Sequence, residues 1–380
     1  MCNHSYKGIT LDGQAIEITV HDDKIRSIKD IRTEPGLSYI LPPLVDLQQN
    51  GALGTAFNEL NHTAPEQLRK IGDHLIRNGV GRVLATITTC PYVRLEQAVK
   101  AFDRALSADA ELSALFPGIF HEGVFISPEE GWRGGHLPEF IRPPDWDAFQ
   151  HLDELSGGRI KMLNIAPEGP GALDFIEKAV SAGKKVSLGH CRPDTAIIRE
   201  AVRRGASMVT HFANGAAVHI HRFKNPFWEF LNNDALTLGL VGDGFHLPPE
   251  TVQTALKIKG MPRCFMVSDA NANSGSPPGR YRRNGGCDCI IEPNGFVHLD
   301  NDQLLAGAWF QNNRSVEFLV NKVGLKFRDA WRLCSEIPAQ IMGIKLTEFK
   351  AGEEASFVVA DWNDSHLKIK QSVFCGKKYL

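Results

Sequence analysis

No stretch of this 380-residue chain approaches the roughly 18 consecutive apolar residues of a membrane-spanning helix, which sets aside an integral helical membrane protein. Charge of one sign is equally scarce: 42 Lys and Arg stand against 44 Asp and Glu, a formal net charge of -2. Without a basic excess there is no global field for nucleic acid or an anionic membrane, so neither is expected as a partner. C-x-x-C pairs are absent too. The eight cysteines (Cys2, Cys90, Cys191, Cys264, Cys287, Cys289, Cys334 and Cys375) are scattered, and Cys287 and Cys289 are too close for a zinc-knuckle spacing. Met1 to Thr10 lacks the charged-then-apolar pattern of a secretory signal, so a reducing, cytoplasmic compartment is expected. A composition 43% apolar and 23% charged excludes the disordered and low-complexity classes. Glycine, by contrast, is abundant. Its 35 residues call for many tight turns or close backbone approaches.

Short β-rich segments mark both ends of the chain. Gly8 to Leu11, Ala15 to Val20 and Lys24 to Ile31 are punctuated by turns at Asp12-Gly13 and Asp22-Asp23; Ala355 to Ala360 and Ser372 to Tyr379 mirror them. Between the ends, apolar runs alternate with amphipathic stretches. Arg82 to Thr86, Ile119 to Ile126, Lys185 to Gly189, Ser207 to Thr210, Thr237 to Val241 and Phe265 to Ser268 read as strands. Pro65 to Asn78, Leu95 to Ser107, Ala172 to Ala182, Thr195 to Arg204 and Pro249 to Ile258 read as helices. Strand then helix, repeated, implies parallel strands with crossover helices. With no G-x-G-x-x-G after the first strand, the α/β class expected is a (β/α)8 TIM-type barrel over residues 41–344. A small β-sandwich domain built from both chain ends, residues 1–40 plus 345–380, completes the expected organisation.

Barrels place their reactive groups at the C-terminal ends of the strands. Glu122, His190, His211, His246 and Asp269 all fall at or just past such ends. Singly each has a plain structural reading: a hydrogen-bonded imidazole, a paired buried carboxylate, or in Asp269 a helix cap. Together they suggest chemistry. Two imidazoles and a carboxylate suit Zn²⁺ or a similar divalent ion with a position left for water, and an Asp nearby can take a proton from that water. His246 can donate to a carbonyl or a substrate hydroxyl. His219 and His221, beside Arg222 and Lys224, read as part of an anion pocket ahead of a second metal site.

These residues lie within a longer pattern. Leu41-Pro-Pro-Leu-Val-Asp-Leu-Gln-Gln-Asn-Gly resembles the opening barrel strand of the amidohydrolase superfamily, whose usual His-x-His is replaced here by Gln48-x-Asn50. That replacement resembles the one in the N-acetylglucosamine-6-phosphate deacetylases, and it implies a single-metal site. His121-Glu-Gly with Gly134-Gly-His-Leu-Pro is similar to that family's H-x-E-G-P and G-x-H-x-P region. Ala166-Pro-Glu, Gly189-His190, Thr210-His-Phe-Ala-Asn214, Gly242-Asp-Gly-Phe-His246, Val267-Ser-Asp269-Ala, Leu305-Ala-Gly and Ile337-Pro-Ala-Gln-Ile-Met-Gly continue the match. The resemblance implies metal ligands at Glu122, His190 and His211, and Asp269 as catalytic base with His246 beside it. It assigns substrate contacts to His136, His246, Asn214, the backbone of Ala213, and Arg222, the last reaching a neighbouring subunit's phosphate in a homodimer. Departures fall around the pocket: Val124 stands for Pro, Cys191-Arg-Pro for Ser-Asn-Ala, Gly215-Ala-Ala for Ala-Met, and Trp309-Phe-Gln for small polar residues.

The expected reaction is therefore metal-dependent hydrolysis of an N-acetyl amino sugar phosphate to acetate and the free amine. Zinc is expected as the one divalent ion, with iron, cobalt or manganese as alternatives. Rival readings are an amidohydrolase for another N-acyl or cyclic amide substrate, and a catalytically silent sugar-phosphate sensor on the same scaffold.

Overall fold

The computed structural model describes residues 3–282, 288–300 and 304–380; Cys2 and Cys287 lie outside them. Eight parallel strands form one sheet in sequence order: β1 (Leu44–Gln49), β2 (Val80–Ile87), β3 (Gly118–His121), β4 (Ile160–Ile165), β5 (Lys185–Leu188), β6 (Met208–Val209), β7 (Thr237–Val241) and β8 (Cys264–Val267). All six residues of β1 are buried, as strands covered on both faces require. The sheet closes on itself past β8. Gln49 and Ala270 bridge in parallel, Asp269 N–H donates to Gln48 O at 2.9 Å, and Asn50 N–H donates to Ala270 O at 2.8 Å. The seam is tied further from outside, where Asn312 Nδ2 donates to Val45 O and Met266 O at 3.1 and 3.3 Å. The expected (β/α)8 barrel is thus present, and closure brings the ends of β1 and β8 side by side.

The helices cover the barrel with the periodicity their sequences carry. In Ala64–Arg77 the buried residues Leu68, Ile71 and Leu75 recur at helical spacing on one face, with Pro65 in the first turn. Helix Thr195–Arg203 starts where Asp194 accepts from Ile197 N–H at 2.9 Å, so the chain turns sharply after β5.

Both chain ends enter a second sheet of seven strands. Its order is Lys377–Tyr379, His366–Phe374, Phe357–Asn363, Tyr39–Leu41, Asn3–Ile9, Ala15–His21, Lys24–Asp30. Tyr39–Leu41 is the joint, antiparallel to Val358–Ala360 and bridged in parallel to Ile9. Alternation along Ala15–His21 puts Ile16, Ile18 and Val20 into a separate small core with Ile25, Ile40 and Phe357, where Tyr6 meets Phe357 edge-on at 5.0 Å.

Two local expectations change. The apolar run Ile119 to Ile126 is not one strand: β3 ends at His121, and the following residues cross the barrel mouth. Phe125 O accepts from Ala166 N–H past β4, and Ser127 N–H donates to His190 O past β5. The run is apolar because that crossing segment is itself buried. Conversely β4 has no uninterrupted apolar run, since the exposed Lys161 and the buried polar Asn164 break it.

His121 turns away from the mouth into the core, 5.5 Å from Phe125 and 5.9 Å from Phe149 between ring centroids. Neither of its ring nitrogens meets a hydrogen-bond partner among the described residues, and burial pushes its pKa down to about 4. An unfolded imidazole titrates near 6.5, so below that pH the unfolded chain binds a proton that the native state refuses. The stability held above pH 6.5 is lost as pH falls towards 4. His121→Leu is expected to remove about 2–3 kcal/mol of the loss between pH 7 and 4.5. Urea unfolding at the two pH values tests this, and parallel losses in both proteins would reject it.

Candidate active site

The polar groups at the mouth are delivered by backbone that leaves the strands abruptly. Glu122 follows β3 directly, while His190, His211 and Asp269 stand two residues beyond β5, β6 and β8. Three of them, with Ala213, adopt positive φ: His190 50°, His211 29°, Ala213 68° and Asp269 49°. Non-glycine residues rarely hold this conformation, and such strain concentrates where side-chain aim is set by function. Asn164 on β4 supports the arrangement from below. Its Nδ2 donates to Glu122 O and Gly189 O at 3.0 and 3.2 Å, and its Oδ1 accepts from Thr210 Oγ1 at 2.9 Å. One buried amide therefore ties together the chain segments carrying Glu122, His190 and His211.

The side chains converge. His211 Nε2 lies 3.0 Å from Glu122 Oε1 and 2.9 Å from His190 Nε2, and His190 Nε2 is 3.5 Å from Glu122 Oε1. His190 Nδ1 stands 3.0 Å from Trp132 O, and a carbonyl only accepts, so Nδ1 donates there and Nε2 is the ring nitrogen turned towards Glu122 and His211. A buried carboxylate and two imidazoles aimed at one point fit a divalent ion in donor type and number. The two nitrogens at 2.9 Å are a few tenths closer than the about 3.3 Å edge of a tetrahedral site with 2.0–2.1 Å bonds, so small side-chain rotations accommodate one. His136 joins them: ligand atoms of Glu122, His136 and His190 lie within 4.8 Å of one another, and the His136 and His190 rings meet edge-on at 4.5 Å.

Gln48 and Asn50 occupy the place between the two carboxylates. Gln48 Nε2 donates to Glu122 Oε1 at 2.9 Å and to Asp269 Oδ1 at 3.3 Å; Asn50 Nδ2 donates to Asp269 Oδ1 at 2.8 Å. Amide N–H groups thus pair with the carboxylates there. Burial, and then the nearby Glu122 charge, push the Asp269 carboxyl above the usual range. Burial raises Glu122 as well, but its bonds to His190 and His211 outweigh that and hold it well below.

His246 is nearly enclosed, and Asp243 orients it. Asp243 Oδ2 is 2.7 Å from His246 Nδ1, and its Oδ1 accepts from the backbone N–H of Phe245 and His246. Burial lowers the His246 pKa, but the Asp243 carboxylate more than offsets it and lifts the imidazole above its ordinary value. Ala213 and Asn214 lie on the turn past His211, where Asn214 N–H donates to His211 O at 2.8 Å. Arg222 is exposed on the same loop, away from the buried cluster, and so are His219 and His221.

Asn164, Asp243 and Trp132 have no role in the sequence reading. Asn164 and Asp243 had a readable signal, a polar residue inside or just after an apolar strand. The carbonyl of Trp132 had none, because backbone groups carry no residue identity.

Gly215 shows how tightly the imidazoles are enclosed. It holds φ +61°, and a Cβ built there would stand 2.4 Å from His190 Nδ1. Gly215→Ala is expected to displace His190 and lower metal affinity about 10- to 100-fold, as loss of an outer partner does, with little unfolding. Chelator competition reads it directly, and wild-type affinity would overturn it.

No family model matches the chain. It is 27% identical over 361 residues to the N-acetylglucosamine-6-phosphate deacetylase of Bacillus subtilis, covering 94% of this chain and 88% of that one. It is 27% identical over 350 residues to the N-acetylgalactosamine-6-phosphate deacetylase of Escherichia coli O157:H7, covering 91% and 90%. Among solved structures, N-acetyl-D-glucosamine-6-phosphate deacetylase from Mycobacterium smegmatis superposes over 100% of both chains with a TM-score of 0.87 at 22% identity. An enamidase of the amidohydrolase superfamily aligns with a TM-score of 0.58 at 12% identity over 100% of this chain and 96% of its own, a likeness of fold. With relatives matched over nine-tenths of its length and the same fold from end to end, the chain is similar throughout to N-acetylhexosamine-6-phosphate deacetylases and shares their fold.

Proposed function

We propose that the chain hydrolyses the N-acetyl amide of N-acetylglucosamine 6-phosphate, or of a closely related acetylated hexosamine phosphate, to acetate and the amino sugar phosphate. The observation carrying this reading is the buried Asp269 carboxyl, gripped by Gln48 and Asn50, beside the converging Glu122, His190 and His211. A divalent ion held by those three residues, zinc in this reading, supplies a Lewis acid that polarises a carbonyl and makes water acidic near neutral pH. Asp269 accepts the proton of the attacking water and returns it to the leaving nitrogen, which would otherwise depart as a poor amide anion. His246, with Nδ1 occupied by Asp243, offers Nε2 to the substrate; His136 is the second imidazole at the mouth.

Asn214 and the Ala213 backbone hold the phosphate in this reading, and Arg222 of a second copy completes the grip through its forked donors. A homodimer is supported by the loop that carries Arg222, where Val218 is 84% and Phe223 75% exposed next to exposed Trp228. A reducing cytoplasm is consistent with the buried free thiols of Cys90, Cys191, Cys264 and Cys334. No helix among those residues is long and apolar enough to cross a membrane.

One alternative has an observation behind it: a relative 27% identical over 350 residues is an N-acetylgalactosamine-6-phosphate deacetylase, for the galactosamine epimer. Acetate release from both epimers, each with and without its 6-phosphate, tests the proposal. The expected result is turnover that falls at least about tenfold without the phosphate, since its charge-assisted bonds are then lost. No acetate from any of the four, in metal-replete protein, would reject the deacetylase reading.

A further inference from the structure

The donor set at the mouth contains one imidazole more than the assigned ligands. We propose that His136 is a fourth protein donor to the divalent ion while the pocket holds no sugar, and that substrate takes its place. The inference rests on the reading that Glu122, His190 and His211 hold an ion.

Three observations carry it. His136 has a ligand atom within 4.8 Å of those of Glu122 and His190, a spacing that ligands of one ion share. Its Nδ1 is 2.8 Å from Thr89 Oγ1, which anchors the ring and fixes its place beside the cluster. Its backbone also differs from that of the other donors. Glu122, His190 and His211 follow strands within two residues, whereas His136 sits on the long loop past β3, immediately after Gly134 and Gly135. A loop donor can leave without disturbing the barrel. It must leave, because four protein ligands close a tetrahedral site and catalysis needs an open position.

The test uses Co²⁺ alone as probe, in protein stripped and reloaded. In His136→Leu, Co²⁺ affinity should fall at least about tenfold, since loss of a mere outer partner already costs about 10- to 100-fold. The visible absorption should change with it, because water takes the place of a nitrogen donor on the ion. Thr89→Val, which keeps the ring and removes its anchor, should shift both in the same direction. Unchanged affinity and spectrum in folded His136→Leu would overturn the proposal, as would the same result in Thr89→Val if the first variant does not fold. Saturating glucosamine 6-phosphate should move the wild-type spectrum towards that of His136→Leu. An unaltered spectrum with sugar shown bound by equilibrium dialysis would overturn the exchange. Failure of the deacetylase reading shows elsewhere, as absent acetate release, and leaves the sugar-free cobalt result intact.

Discussion

Asp269→Asn should lose turnover by about 10²- to 10⁴-fold while keeping its metal, the range a positioned proton-transfer group contributes. The substitution is nearly isosteric, and the geometry says what survives it. Asp269 Oδ1 accepts from Gln48 and Asn50, and an asparagine oxygen accepts the same bonds. The backbone link from Asp269 N–H to Gln48 O, which helps close the barrel, does not involve the side chain at all. Stability should therefore be unchanged or slightly higher, because a buried group already pushed towards neutrality is replaced by one that is always neutral. What is lost is the capacity to take a proton and return it. Turnover measured beside metal content and a urea midpoint separates these effects. Near-normal hydrolysis in a folded, metal-loaded variant would sink the assignment of Asp269.

Glu122→Gln should act differently, removing turnover together with the ion. Its carboxylate is the one anionic donor among the assigned ligands, and Oε1 faces both His190 and His211. A neutral amide keeps the volume and can still meet Gln48 Nε2, but it cannot balance a divalent charge between two imidazoles. Metal retained after dialysis should drop well below one per chain. The loss of Lewis acidity, several kcal/mol, corresponds to a fall in turnover of roughly a thousandfold or more. Metal analysis on the dialysed variant decides the point, and stoichiometric retention would rule out Glu122 as a ligand. The two variants thus divide the site: one should keep metal without proton transfer, the other neither.

Much of this was legible in the chain. The strand–helix alternation from about residue 80 onward reads directly as a barrel, because parallel strands buried on both faces must be nearly continuous apolar runs. The ionisable residues closing those runs, Glu122, His190, His211 and Asp269, read as a site because a barrel points its strand ends at one mouth. The same rule misled at Ile119 to Ile126. There apolar character reflects burial under the crossing segment, and burial alone does not tell strand from loop. It also passed over β4, whose Asn164 looks like an interruption until it is seen binding three neighbouring segments.

By itself the sequence determined the fold class, the types of chemical group available and their order along the chain, since periodicity and composition are local properties. Only the tertiary structure decided how those groups meet. It placed Gln48 between two carboxylates, turned His121 into the core while Glu122 beside it faces the mouth, and brought His136 within reach of the ligands. Each of these depends on barrel closure between β1 and β8 and on loop paths across the mouth. Such contacts join residues tens to hundreds of positions apart, and no local pattern encodes a distance of that kind.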